Sequence, residues 1–199
     1  ALVTGSSKGV GRGIAIGLAE AGWDVVVNYN GDRDGAESTA QAIRDIGSSC
    51  WVTQANVGKS DDVLRMFAEL DQYDAKPLRL LVNNAGVQTW CSLMDLGEQD
   101  WDRVIDTNLK GSFLCTQQAA ARMIEHGLGG SIVNIGSGAN KRPFPNLVAY
   151  SASKGGLNQL TQVCAVELGP EKIRVNCVAP GAIEIERTKL EADDYAGTW

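Results

Sequence analysis

Tyr150 and Lys154 stand four residues apart at the opening of a helical pattern in "AYSASKGGLNQL" (149–160). Helical spacing puts both side chains on one face, a turn apart. A phenol ordinarily holds its proton up to about pH 10, too tightly for efficient exchange near neutrality. A neighbouring ammonium stabilises the phenolate and makes the proton easier to release. Such a pair could give and retake a proton at a carbonyl oxygen while hydride moves to or from the attached carbon. Ser137, just past the apolar run "SIVNI" (131–135), offers a hydroxyl to hold that oxygen. Taken alone, Tyr-x-x-x-Lys is a common exposed helical pair, so its meaning depends on what surrounds it.

Chemistry of this kind needs elements that bring distant residues to one edge. Short β-rich runs occur at 1–4, 24–29, 50–54, 79–84, 131–135 and 173–178. Each is nearly continuously apolar, as parallel strands covered on both faces are. Amphipathic stretches at 10–21, 34–46, 60–73, 98–126 and 149–168 alternate with them. This rhythm predicts an α/β fold: a doubly wound parallel sheet with helices on both faces. No Pro/Gly-rich linker divides the chain, so 1–199 is expected to be a single domain. In such sheets ligands bind beyond the carboxyl ends of the strands. There the sequence places "TGSSKGVG", "NYN", "ANV", "NNAG", "IGSG" and "APGAI", six strand ends converging on one site.

The first of these, "TGSSKGVGRGIA", lies between the first strand and the first helix. Its glycines permit a tight turn and close approach of a ligand, and the helix N-terminus then offers N–H groups to a pyrophosphate. Gly5, Ser7, Lys8, Gly9, Val10 and Gly11 are therefore candidate dinucleotide contacts. The spacing is G-x-x-x-G-x-G, not the G-x-G-x-x-G of the common fingerprint. The second strand ends in Asn28, Tyr29 and Asn30, also candidate contacts, with no acid for a ribose 2′-OH. Lys8 in the turn and Arg33 beyond the strand suit a 2′-phosphate. NADP is the expected cofactor, with NAD the alternative.

Bulk properties narrow the class. Across 199 residues, hydrophobic types make up 44% and charged types 21%, an ordinary globular balance. A net charge of -6 argues against nucleic acid or an anionic membrane as the main partner. Cys50, Cys91, Cys115, Cys164 and Cys177 are scattered and read as reduced core thiols of a cytoplasmic protein. With a single histidine, His126, no zinc cluster or Ser-His-Asp triad is expected, and no metal site is assigned. The chain opens without methionine and stops at "DDYAGTW" without a closing element, so a C-terminal part is expected to be missing.

Together, "TGSSKGVG" (4–11), "NNAG" (83–86), Asn108 in "DTNLKG", Ser137, "YSASK" (150–154) and "PG" (180–181) resemble the short-chain dehydrogenase/reductase family across essentially the whole chain. The resemblance implies a Rossmann fold and gives each motif a role. Tyr150 is similar to the family's acid/base, and Lys154 to the residue that eases its proton and also binds the nicotinamide ribose. Ser137 resembles the carbonyl anchor, and Asn108 the asparagine that holds a water in a proton relay. Asn84, Ala85 and Gly86 resemble the segment beside the adenosine. Pro180, Gly181 and Ile183 resemble the loop beside the nicotinamide, and 182–199 the start of the substrate loop. Many relatives carry an aspartate where Asn56 precedes Val57; the asparagine carbonyl can still accept a bond from adenine.

Several functions remain open on this reading. One is an NADP-dependent reductase of 3-oxoacyl thioesters, with Lys141 and Arg142 able to attract an acidic carrier. Another is a sugar or polyol dehydrogenase of the same family. A third, of another class, is a dinucleotide-binding sensor without turnover. The resemblance also implies a homo-oligomer, a tetramer or dimer, for which 98–126 and 149–168 could supply apolar faces.

Overall fold

A computed structural model describes residues 1–73, 76–181 and 183. Its centre is one parallel sheet of six strands: β1 (Leu2–Val3), β2 (Val25–Tyr29), β3 (Cys50–Gln54), β4 (Leu80–Asn83), β5 (Gly130–Ile135) and β6 (Ile173–Val178). They lie in the order β3-β2-β1-β4-β5-β6, the doubly wound arrangement expected from the alternating pattern. The progression of strand order along the sheet reverses between β1 and β4, so a crevice opens beyond their carboxyl ends.

The period-two pleat sorts the strand residues between two cores. Leu2, Val26, Leu81, Ile132, Ile173 and Val175 face one side, against Val63, Met66 and Phe67 of α3 (Ser60–Leu70) and Cys115, Ala119 and Met123 of α5 (Gly111–His126). Ala165 and Leu168 of α6 (Val148–Leu168) close the same layer. Val3, Val25, Val27, Leu80 and Val82 face the other side, against Ala15 and Ala19 of α1 (Gly9–Glu20) and Ala36, Ala40 and Ile43 of α2 (Arg33–Ile46). Both faces of the central strands are thus buried, which is why those strands read as apolar runs.

The expected helix over 98–126 is divided. It consists of α4 (Glu98–Ile105), a π-helical turn (Asp106–Lys110) and α5. The division fits the packing at Gly111, where an added Cβ would meet Val57 at 2.7 Å. Of the five cysteines, Cys50 and Cys115 are buried in the core and half-buried Cys164 packs against it, whereas Cys91 and Cys177 are half-buried and belong to neither core cluster; all five are free thiols. Among the described residues, no helix is long and apolar enough to cross a membrane. The expected substrate loop, at Ala182 and 184–199, lies outside the described residues.

Candidate active site

The floor of the crevice is built from backbone. Thr4 and Gly5 leave β1, and Gly5 (φ 61°) and Gly9 (φ 55°) take the left-handed conformation that favours glycine. A Cβ on Gly5 would lie 2.8 Å from the Ala85 Cα, and one on Gly11 only 2.4 Å from both the Asn84 Nδ2 and the Gly5 carbonyl. The turn and the "NNAG" segment therefore touch through backbone. They are also bonded: Asn84 Nδ2 donates to the Thr4 and Gly5 carbonyls (2.9 and 3.0 Å). The Asn84 and Ala85 N–H groups both donate to Thr4 Oγ1 at 3.0 Å.

Asn28 braces the turn from below. It is buried, its Oδ1 accepts the Gly5 N–H at 3.1 Å, and its amide lies 3.3–3.4 Å from the Tyr29, Thr53 and Ala55 carbonyls. Its side chain thus serves the shape of the turn, and Tyr29 lies in the core beside it. Asn30 is exposed, and Ser7 is buried in the turn. Lys8 is the N-cap residue of α1 and makes no side-chain capping bond. The first turn of α1 keeps its N–H end available to an anion. Glycines without room for a Cβ, set against an uncapped helix start, fit a dinucleotide pyrophosphate.

An acid does reach this edge, though not at 28–30. Asp32 caps α2 by accepting the Gly35 N–H at 3.1 Å and pairs with Lys8 at 3.4 Å. The Gly35 bond first, and Lys8 second, hold its carboxyl below the ordinary range. Asp32 escaped the sequence reading because it sits three residues past the strand, in a capping role. Beyond β3, the Asn56 N–H donates to Asp62 (2.9 Å), the Asn56 Oδ1 accepts from the Gly58 N–H (3.0 Å), and Val57 is buried.

The reactive residues gather on the other bank. Lys154 is only 4% exposed and donates from Nζ to the Ile135 carbonyl, 2.6 Å away, at the end of β5. Burial lowers its pKa from 10.5 to about 8, with the Cys177 side chain acting in the opposite sense. Nζ lies 5.7 Å from the centroid of the Tyr150 ring, so phenol and ammonium are neighbours. Ser137 follows β5 by two residues and starts a 3₁₀ turn (Gly138–Asn140) that packs on α6; its Oγ accepts the Ala139 N–H at 3.1 Å and retains its own proton to donate.

Asn108, in the π-helical turn, is fully buried. Its Oδ1 accepts the Val87 N–H (2.8 Å), and its Nδ2 donates to the Val87 carbonyl (2.9 Å) and to Ser153 Oγ (3.0 Å). A Cβ on Gly86 would stand 3.4 Å from Asn108 Oδ1 and 3.8 Å from Lys154 Nζ, so "NNAG" reaches the reactive set as well as the glycine turn. Pro180, Gly181 and Ile183 continue from β6, with the Ile183 side chain exposed. Thr4, Val87 and Ser153 went unnoticed in the sequence; Thr4 and Ser153 sit inside the quoted motifs, whereas Val87 acts through backbone and leaves no signal.

Comparison with known proteins agrees with this architecture. A family model described as short chain dehydrogenase matches residues 1–196. The chain is 43% identical over 195 residues to the 3-oxoacyl-acyl-carrier-protein reductase FabG of Staphylococcus epidermidis, covering 98% of this chain and 79% of that one. It is 42% identical over 190 residues to the uncharacterized oxidoreductase YgfF of Escherichia coli K12, covering 94% and 76%. Among solved structures, it resembles the acetoin dehydrogenase YohF of Salmonella typhimurium with a TM-score of 0.86 and 32% identity, over 97% of this chain and 76% of that one.

Proposed function

The chain belongs to the short-chain dehydrogenase family, and on that premise we propose that it is an oxidoreductase that reduces the carbonyl of a 3-oxoacyl thioester with NADPH. The observation that carries this reading is the ammonium of Lys154, buried beside the Tyr150 ring and held by the Ile135 carbonyl. An ammonium kept out of water at a strand end needs a reason, and a phenol that must shed a proton supplies one. When bound, reduced nicotinamide would supply the hydride for the carbonyl carbon. Ser137 holds the carbonyl oxygen by its hydroxyl proton, and Tyr150 gives that oxygen its proton, leaving a secondary alcohol. Lys154 offsets the negative charge left on the phenol until the proton returns. Asn108 orders the relay side of Lys154.

Gly5, Ser7, Gly9, Val10 and Gly11 would hold the pyrophosphate, and Asn56, Val57, Asn84, Ala85 and Gly86 the adenosine side. Lys8 would meet the 2′-phosphate, with Asn28, Tyr29 and Asn30 forming the strand end beneath it. Pro180, Gly181 and Ile183 would flank the nicotinamide. Residues 1–199 form one domain in this reading, acting as a cytoplasmic homo-oligomer. The thioester substrate is supported by the likeness to FabG. A second reading, dehydrogenation of a small hydroxyketone, sugar or polyol, is supported by the likeness to acetoin dehydrogenase.

One plate separates these readings. NADPH and NADH loss is followed with acetoacetyl thioester and with diacetyl, and NAD(P)⁺ reduction with acetoin, sugars and polyols. NADPH loss with the thioester is expected to dominate. Dominant turnover of acetoin or polyols would favour the second reading, and silence throughout would remove both.

A further inference from the structure

The helix that carries Tyr150 begins poorly. Its N-cap residue, Leu147, makes no side-chain capping bond, and Tyr150 falls in the first turn. Helix starts without caps fray, because their N–H groups lack partners. A residue that must meet a substrate oxygen within a fraction of an ångström therefore sits on an element with little local reason to be rigid.

Ser153 caps none of those N–H groups, but it ties the first turn to neighbouring segments from its carbonyl side. Its side chain is fully buried, and its hydroxyl donates to the Tyr150 carbonyl at 2.7 Å. The same oxygen accepts the Asn108 amide at 3.0 Å. The remaining capacity of that amide goes to the Val87 backbone, as both donor and acceptor. Three separate segments, the loop after β4, the π-helical turn and the first turn of α6, are thus locked through one hydroxyl. A hydroxyl that donates one way and accepts the other has a fixed sense, so the network admits one arrangement. Lys154, next in sequence, is anchored independently at Ile135. Without Ser153 the lysine end of the pair stays held while the tyrosine end loses its tie to Asn108.

We propose that Ser153 is a positioning residue of the reaction, setting the first turn of α6 so that Tyr150 stays aligned with Lys154. The proposal rests on the reading of Tyr150 as the acid. It is tested with Ser153→Ala, which removes both bonds, and Ser153→Thr, which restores a hydroxyl. Turnover is expressed per folded protein, with Tyr150→Phe run alongside. NADPH affinity is read by fluorescence, stability by urea unfolding, and the pH profile of kcat is recorded for each variant.

For Ser153→Ala, kcat is expected to fall about tenfold and its pH profile to move, because misplacement of a reacting group by about an ångström costs up to about a hundredfold. NADPH affinity should stay within about twofold, since the glycine turn is untouched. Ser153→Thr should recover most of the kcat and the wild-type pH profile. A lowered urea midpoint with unchanged kcat and pH profile would mean a purely structural serine and overturn the proposal. So would a threonine variant that folds but stays as slow as the alanine one. Wild-type turnover in Tyr150→Phe would instead remove the acid assignment itself, a distinct failure.

Discussion

Replacing Lys154 by methionine sets the folding and the catalytic demands on one side chain against each other. Burial takes the lysine from 10.5 to about 8. At about 1.4 kcal/mol per tenfold change in proton affinity, that amounts to about 3 kcal/mol. The unfolded chain binds this proton more tightly than the folded one. The penalty is therefore whole below pH 8 and fades as pH rises from about 8 towards 10.5. Methionine keeps the length of the side chain without the charge, so its variant carries no such penalty. It does leave the Ile135 carbonyl without its partner, at a cost of about 1–2 kcal/mol that does not depend on pH. The variant should be more stable than the wild type by about 1–2 kcal/mol at pH 7, a rise in Tm of several degrees for a chain this size. That advantage should shrink by about 2–3 kcal/mol between pH 7 and pH 10. Turnover should fall by about a hundredfold or more. Urea unfolding of both proteins at pH 7, 8.5 and 10, followed by tryptophan fluorescence, reads the difference directly. A stability gap that ignores pH would show that the ammonium is not buried as described, and an active methionine variant would refute its part in the chemistry.

Other substitutions probe the remaining contacts. Tyr150→Phe should lower turnover at least a hundredfold while NADPH affinity changes by no more than about twofold; full turnover would end the acid/base assignment. Gly5→Ala should cost about 2–4 kcal/mol, since it adds a left-handed alanine and an overlap with the Ala85 backbone; an unchanged urea midpoint would contradict the close approach. Lys8→Glu should weaken NADPH binding about tenfold or more and leave NADH binding nearly unchanged; equal losses for both would place the 2′-phosphate elsewhere.

The sheet was legible in the sequence because parallel strands covered on both faces carry apolar residues throughout, as "DVVVNY" and "RLLVNN" do. The clustering of polar motifs at strand ends marked the crevice for the same reason. The π-helical turn was not legible: "DTNLK" continues the helical pattern on both sides, and the inserted turn answers to tertiary packing at Gly111 and Val57 rather than to any local preference. The Asp32–Lys8 pair was hidden because its partners are 24 residues apart and meet only when α1 and α2 pack together. Buried amides were hardest to read. Asn83 and Asn134 bond each other at 2.8 Å across β4 and β5, and Asn134 reaches Thr161 of α6 at 2.9 Å. In the sequence these are polar letters at strand ends, indistinguishable from ligand contacts, and only the fold shows that they brace the sheet.

The bonds that join Thr4 and Gly5 to Asn84 and Ala85 tie together the segments that leave the carboxyl ends of β1 and β4. On the proposed reading, an arriving nucleotide would meet walls already bonded to each other. Little chain ordering would then oppose association. The same rigidity leaves little tolerance: a methyl group added at this seam would displace both walls at once.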